Sequence, residues 1–326
     1  MIKFNSYYNN YSNQKILVTG GAGAIGSNLV KILLDNNANV TVIDNLSSGS
    51  KDNLDMKSNN LTFIEGDINN VDALDIALSE NPAYVFHLAA NFANQNSVDH
   101  PFDDMNTNIG GTIKLLELLK KNENLRRFIY TSSSCVYGQA SVIIDEFTPI
   151  DLSTPYSISK LTAEYYVNYY QNFCKMPTTI LRYFNSYGPG EHSGAYRNVI
   201  PNFISLALNK QPLPIYGDGS DKRCFTYVTD ICNGTLLSAA TDASISKTLN
   251  IGSSNEVSII NLANLINELT CNQSPHVFLP RRQWDHIHQR LPSCKMAEDL
   301  FSYTPSHSFE AGLAKTINWF KSTNLY

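Results

Sequence analysis

The sequence predicts an α/β fold, a doubly wound parallel sheet followed by a smaller, loop-rich C-terminal domain. Three observations carry this. Short apolar runs rich in Val, Ile and Leu alternate with helical stretches from Lys15 to Asn185, the pattern of strands buried on both faces and covered by helices. The first run stops on the glycine-rich turn TGGAGAIG. Beyond Asn185 the texture changes to Gly- and Pro-punctuated loops such as GPGEHSG and KQPLPIYGDGSDKR.

Residues 1 to 13, polar and Asn/Tyr-rich, read as a loose leader. KILVTG (Lys15 to Gly20) is the first strand, and Ile25, Leu29, Ile32 and Leu33 space a helix to about Asp35. NVTVID (Asn39 to Asp44) completes a βαβ unit. The alternation continues through LTFIEGD (Leu61 to Asp67), a helix around Val71 to Ser79 and AYVFHLAA (Ala83 to Ala90). A helix near Asn106 to Lys121, RFIYTSS (Arg127 to Ser133), a helix from about Pro155 to Cys174 and TTILRYFN (Thr178 to Asn185) follow. These divide the chain into a nucleotide-binding domain over 13–184, with returning segments near 226–252, and an interleaved substrate-side domain over 185–326.

Charge narrows the function classes. With 24 Lys+Arg against 29 Asp+Glu, the net charge of -5 gives no general basic field for nucleic acid. The six cysteines are scattered without a C-x-x-C pair, which argues against a zinc knuckle or disulfide scaffold. No apolar run reaches membrane-span length and the start lacks a signal-peptide core, so the expectation is a cytoplasmic protein. His286 and His288, an i,i+2 pair without further nearby ligands, are read as solvent-exposed, and no metal is predicted.

Gly20, Gly23 and Gly26 lie between a strand and a helix, where backbone N–H groups and a helix dipole can meet a pyrophosphate. Asp44 ends the second strand at the separation expected of the acidic residue that accepts from an adenosine ribose. It would repel a 2′-phosphate, and Asn45, Leu46, Ser47 and Ser48 offer no arginine, so NAD is favoured over NADP. This is the Rossmann arrangement. Ala24, Ile25, Asn45, Ile68, Leu88, Ala89 and Ala90 join the candidate cofactor contacts. Asp67 could hold the adenine amino group, cap the following helix, or do both.

Tyr156 and Lys160, spaced i,i+4 in PYSISK, share a helix face. An ammonium near a phenol favours phenolate, so this tyrosine is a candidate general base. With HLAA (His87 to Ala90), TSSSCVYG (Thr131 to Gly138), YSISK, RYFNSYGP (Arg182 to Pro189) and YGDGSDKRCFTYVTDI (Tyr216 to Ile231) in this order, the chain resembles the extended short-chain dehydrogenase/reductase family. The resemblance covers nearly the whole length and points to its nucleotide-sugar epimerase/dehydratase branch. It implies NAD held throughout turnover, Tyr156 as acid/base, Lys160 bridging ribose and tyrosine, and Ser133 bonding the reacting hydroxyl.

The residues after Ser133 bear on the reaction. Relatives that dehydrate dTDP-hexoses carry two acidic residues there, and UDP-glucuronate decarboxylases a Glu before V-Y-G; here Ser134 and Cys135 stand instead. The resemblance therefore favours a UDP-sugar 4-epimerase, working through a transient 4-keto sugar with NAD as hydride shuttle. A UDP-glucuronate decarboxylase or other nucleotide-sugar enzyme of the family is the alternative, and a nucleotide sensor on the same fold the non-enzymatic one. Cys135 is read as a small filler rather than a nucleophile.

For the diphosphate, Arg223 is the first candidate, Arg282 with Asp285 in an R-x-x-D pair the next, then Arg290. Asn185 and Asn198 match positions whose amides contact substrate in relatives and could equally be turn formers. Ser134, Val199, Ile215 and Tyr216 complete the candidate substrate contacts, Pro214 to Gly217 resembling the stretch beside the uracil. Ser293 replaces an acidic residue of the family pattern. The resemblance also implies a homodimer, for which Ile109, Ile113, Leu116, Val167 and Tyr170 could supply a face or equally pack on the sheet.

Overall fold

The computed structural model describes residues 7–139, 143–281 and 288–323. Seven strands form its central sheet: β1 (Lys15–Thr19), β2 (Asn39–Asp44), β3 (Leu61–Glu65), β4 (Tyr84–His87), β5 (Arg127–Ser133), β6 (Thr178–Tyr183) and β7 (Thr248–Ile251). Their order is 3-2-1-4-5-6-7, with every pairing parallel. Strand order reverses between β1 and β4, and a crevice opens there at the carboxyl ends of the strands, where ligands bind in such sheets. The strands are short β-branched runs that stop where glycine or a polar residue breaks the pattern.

Helices cover both faces. Ala24–Asp35, Val228–Ala240 and Lys295–Phe301 pack on one, sharing a core with Val18, Val42 and Phe86. Val71–Leu78, Thr112–Leu119 and Pro155–Cys174 cover the other around Leu17, Val85 and Phe128. The chain thus returns to the first layer after leaving for the substrate side, and Lys295–Phe301 is a return that periodicity did not announce. A third core, under the C-terminal lobe, joins helices Val199–Leu208, Ile259–Thr270 and Phe309–Thr323.

The structure sharpens three expectations. The described part of the leader, from Tyr7, is anchored rather than loose: Tyr11 is fully buried against Tyr84 and Phe86, and its hydroxyl donates to Leu236 O at 2.5 Å. The helix expected near Asn106 to Lys121 is present as a π-helical turn Asn106–Gly111 running into Thr112–Leu119, and the short helices Asn94–Asp99 and Pro101–Met105 precede it. Gly111 lies so close to Ile68 that a Cβ would stand 2.5 Å from it, which ties the π-turn to the loop after β3. Finally, of the two alternatives for the apolar positions, Leu116, Val167 and Tyr170 take the second and pack under the sheet, while Ile109 and Ile113 are half-buried. The exposed apolar row of helix Pro155–Cys174 is Ile158, Tyr165, Tyr166, Tyr169 and Phe173, beside exposed Phe102 and Met105.

No helix among the described residues is long and apolar enough to cross a membrane.

Candidate active site

The glycine loop leaves β1 as a left-handed turn at Gly20 (φ +70°), where a Cβ would stand 2.7 Å from Ala89 N. At Gly26 a Cβ would come within 2.2 Å of Gly20 O. Any side chain at either position would wedge the loop off the segment after β4 or off its own helix, so the sequence permits glycine alone. Gly23 is the N-cap of Ala24–Asp35 without a side chain of its own, which leaves that helix end open to an anion.

Asp44 is buried at the tip of β2. Its Oδ2 accepts from Ala22 N at 2.9 Å and its Oδ1 from Leu46 N at 2.8 Å, so it ties the glycine loop to the strand while keeping lone pairs for a ribose. Burial raises its pKa, and the two backbone bonds counter that. Asp67 receives Asn45 Nδ2 at 2.7 Å and Asn69 N at 2.7 Å. The N-cap of Val71–Leu78 is Asn70, so the capping alternative for Asp67 falls away.

All twelve cofactor candidates from Gly20 to Ala90 line one cavity of about 1250 Å³, together with Tyr156 and Lys160. A long cleft with a side-chain-free helix end and an acidic strand tip fits a dinucleotide.

Thr154 and Ser157 form a reciprocal capping box, and Pro155 occupies the first helical position, so the helix starts sharply and its first turns hold Tyr156 and Lys160. The Tyr156 backbone N–H also donates to Ser97 Oγ at 3.0 Å. Tyr156 is buried, stands edge-on to Phe92, and is hydrogen-bonded to Ser133 at the end of β5. Its pKa lies well above the ordinary value, through burial first and then the proximity of Cys135 and Asp104, with Ser133 countering. The expected lowering by Lys160 is absent from the protein alone. The lysine ammonium sits over the Tyr130 ring, 4.5 Å from its centroid, and faces the buried carboxylates of Asp104 and Glu164. Burial brings the Lys160 pKa down to about 8, and those two carboxylates hold it from falling further.

These two acids are residues that sequence reasoning missed. Glu164 lies eight residues after Tyr156 on the same helix face, a spacing that could have marked it. It pairs with Arg182 of β6 at 2.6 Å and accepts Ser132 Oγ at 2.5 Å, bolting helix Pro155–Cys174 to the strand that ends in Ser133. Arg182 reaches on to Tyr137 OH (2.9 Å), and Tyr137 to Asn250 (2.8 Å). Asp104 is held by Asn108 Nδ2 at 2.9 Å and by Ser159, below Lys160. His87, between Thr19 and Thr112, is kept neutral by burial first and then by Lys160, with its pKa brought down to about 3.

Toward the substrate lobe, Ser134, Asn185, Asn198, Arg223 and Arg290 line the same cavity. Asn185 has φ +33° and donates to Cys224 O at 3.1 Å, combining the turn role with a place at the site. Arg223, on strand Lys222–Cys224, donates to Lys222 O at 2.9 Å. Val199, Ile215 and Tyr216 do not line it. On strand Leu213–Tyr216 the period-two alternation turns Ile215 into the C-terminal core, so a substrate contact by its side chain is ruled out. Arg282, Asp285 and His286 fall outside the described residues. His288 is solvent-exposed as expected, with Nδ1 3.0 Å from Asp221, which also pairs with Arg281 at 2.7 Å.

Arg197 and Glu191 are further cavity residues without a sequence signal. Arg197 donates to Ser48 O at 2.7 Å, and Asn198 Nδ2 donates to Glu191 Oε1 at 2.8 Å. Burial pushes the Glu191 carboxyl up to about 7, against the pull of Arg197 and Asn198. Between its ordinary pKa and 7 the folded protein therefore holds a proton that the unfolded chain releases, so this group's contribution to stability falls as pH rises through that window. Glu191→Gln, which cannot ionise, is expected to be more stable than the parent at pH 8 by up to about 3 kcal/mol and equal to it near pH 4.5. Thermal melts at the two pH values measure this, and a parent-like or lower Tm at pH 8 contradicts it.

Comparison with known proteins identifies the family. The model of the NAD dependent epimerase/dehydratase family matches residues 16–252. A UDP-glucose 4-epimerase of Mycolicibacterium smegmatis is 31% identical, over 94% of this chain and 99% of its own. A UDP-N-acetyl-alpha-D-glucosaminuronate decarboxylase of Bacillus cytotoxicus is 32% identical, over 94% and 98%. The solved structure of an epimerase from Methanothermobacter thermautotrophicus superposes with a TM-score of 0.96 at 43% identity, covering 99% of this chain and 96% of that one. The glycine cradle, the acidic strand tip and the Ser133–Tyr156–Lys160 cluster thus stand in a chain that belongs to the NAD dependent epimerase/dehydratase family of extended short-chain dehydrogenases/reductases, with NAD as its cofactor.

Proposed function

We propose that the protein epimerises a UDP-sugar at C4. The observation that carries this reading is the Ser133–Tyr156 hydrogen bond inside the cofactor cavity, flanked by Ser134 and Cys135, neither of which carries a carboxyl group. Bound NAD supplies reversible hydride transfer at C4. The chain's own part is proton handling and space. Ser133 donates to O4 and orients it. Tyr156 takes the O4 proton as the ketone forms and returns it when the alcohol is remade. Lys160, held charged by Asp104 and Glu164, favours the tyrosinate that this step creates. The small side chains at 134 and 135 leave the keto sugar room to turn over between its two faces.

Arg223, Asn185, Asn198 and Arg290 are the described candidates for the diphosphate and sugar, and Arg282 with Asp285 extend the set by sequence. A homodimer through the Tyr165, Tyr169 and Phe173 row belongs to the same proposal, since such an exposed aromatic stripe on a long helix calls for cover.

The test is to incubate purified protein with individual UDP-sugars and follow products by ¹H NMR. Inversion at C4 without net oxidation is the expected result. Release of carbon dioxide from UDP-glucuronate, or loss of water across C5 and C6, would replace the epimerase reading with another activity of the family.

A further inference from the structure

The segment 188–198 straps the substrate lobe to the nucleotide domain. Asn28 donates to Pro189 O at 2.8 Å, Asn53 to Gly190 O at 3.3 Å, and Arg197 to Ser48 O at 2.7 Å. A Cβ on Gly190 would stand 3.0 Å from Ser27 Oγ and 3.3 Å from Ala24 O, in the first turn of the helix whose N-terminal end is left open for an anion. The next residue, Glu191, is 6% exposed and lines the cavity. It accepts from Asn198 Nδ2 at 2.8 Å, and the Asn198 backbone N–H adds a second bond. Asn198 occupies the N-cap of Val199–Leu208 yet makes no side-chain cap bond there. A carboxyl group is therefore buried between the two places where the cleft is to take up phosphate, the helix end at Gly23 and the amide of Asn198.

Neither the chemistry at C4 nor the seat of the cofactor uses that carboxyl. A glutamine would serve a purely structural duty as well, accepting from Asn198 in the same way and costing less to bury. Arg197, on the same strap, is the charged group that pulls Glu191 toward ionisation. His192, against Trp319 of helix Phe309–Thr323, is held toward neutrality by burial first and then by Arg197, with Asp52 of the nucleotide domain opposing. Helix Val199–Leu208 brings no charged side chain, and Ser27, Asn28 and Asn53 are neutral. Burial outweighs Arg197 and Asn198 and brings the carboxyl to about 7, so near neutral pH it is divided between its two forms. Ionised, it engages the Asn198 amide and repels a second anion; protonated, it does not repel. We infer that Glu191 is a positioning residue for the nucleotide diphosphate, governing the Asn198 amide and taking up a proton from solvent as the diphosphate settles beside it. Such coupling is reciprocal: the factor by which the diphosphate strengthens proton binding is the factor by which the proton strengthens diphosphate binding. The inference deepens the proposed function and takes from it Asn198 as a diphosphate contact.

The probe is UDP-glucose, whose diphosphate keeps its charge throughout the neutral range, added to NAD-loaded full-length protein. Calorimetry in buffers of different ionisation enthalpy counts the protons taken up, and Kd is followed across pH. Wild type is expected to take up as much as about 0.8 proton per bound molecule at pH 7.5, and to bind up to about 20-fold more weakly at pH 8.5 than at pH 6.5. Lys160 titrates in the same range, so the difference between wild type and Glu191→Gln is the readout. Glu191→Gln is expected to abolish that difference in uptake and to hold Kd level within about threefold. Arg197→Met removes the pull toward ionisation and should move the fall in affinity to higher pH, which decides the matter if the glutamine variant rearranges the strap. A wild-type Kd that is flat with pH, or an uptake that survives in Glu191→Gln, overturns the inference. Inversion of UDP-glucose at C4 without Glu191-dependent uptake defeats the inference and spares the epimerase reading. Glu191-dependent uptake followed by a product other than the C4 epimer does the reverse.

Discussion

Tyr156→Phe is expected to lower kcat by about 10² to 10⁴ while KM for the UDP-sugar moves only a few-fold. The substitution removes one oxygen. The ring stays in its slot, edge-on to Phe92, and the helix start is untouched because its cap belongs to Thr154 and Ser157. What is lost is the hydroxyl beside Ser133 that is proposed to take the O4 proton. Because burial raises the phenol's pKa in the protein alone, the tyrosine is neutral at physiological pH until positive charge gathers around it. The rate should therefore rise with pH on its acidic limb, and the variant should lose that limb as well as rate. Turnover followed by NMR across pH 6 to 9 measures both. A variant within about fivefold of wild type would remove Tyr156 from the chemistry.

The largest stability effect is expected at Glu164. Both its oxygens are committed: Oε1 to Ser132 Oγ and Arg182 Nε, Oε2 to Arg182 Nη2. Glu164→Ala leaves a guanidinium buried with Tyr137 OH as its remaining side-chain partner, and breaking such a pair from one side costs about 3–5 kcal/mol. Removing both partners in Glu164→Met with Arg182→Met should recover much of the loss, since the cost lies in the stranded charge. Guanidinium melts on the single and double variants measure this, and a single-variant loss under about 1 kcal/mol would show that the pair is not a clamp. Lys160 supplies a second readout. One of the two carboxylates supporting its charge disappears in Glu164→Gln, so its pKa should fall further below 8.

Local signals made the cofactor half legible. Strand and helix positions follow from periodicity and β-branched runs, and Gly20, Gly26 and Asp44 from a turn chemistry that tolerates few substitutions. Tyr156 and Lys160 were legible because i,i+4 on a helix is a local relation. Asp104 was not, because its meeting with Lys160 depends on how the π-turn at Asn106–Gly111 sets one helix against another. The choice between dimer face and sheet packing stayed open for a related reason. Helix Pro155–Cys174 is apolar on two sides, Val167 and Tyr170 toward the sheet and Tyr165 and Phe173 toward solvent, and periodicity finds both stripes without ranking them. Arg290 read as one arginine among several; its burial and its bond to Gly138 O exist only in three dimensions.

The late return of the chain to the sheet has a consequence for biogenesis. β7 at Thr248–Ile251 and helix Lys295–Phe301 complete the layer that begins at β1. A nascent chain released from the ribosome up to β6 would hold every residue of the dinucleotide cradle yet expose one sheet edge and the apolar surface that Val228–Ala240 later covers. The nucleotide half therefore cannot mature on its own during synthesis. Its long-range closure ties the appearance of cofactor affinity to translation of nearly the whole polypeptide.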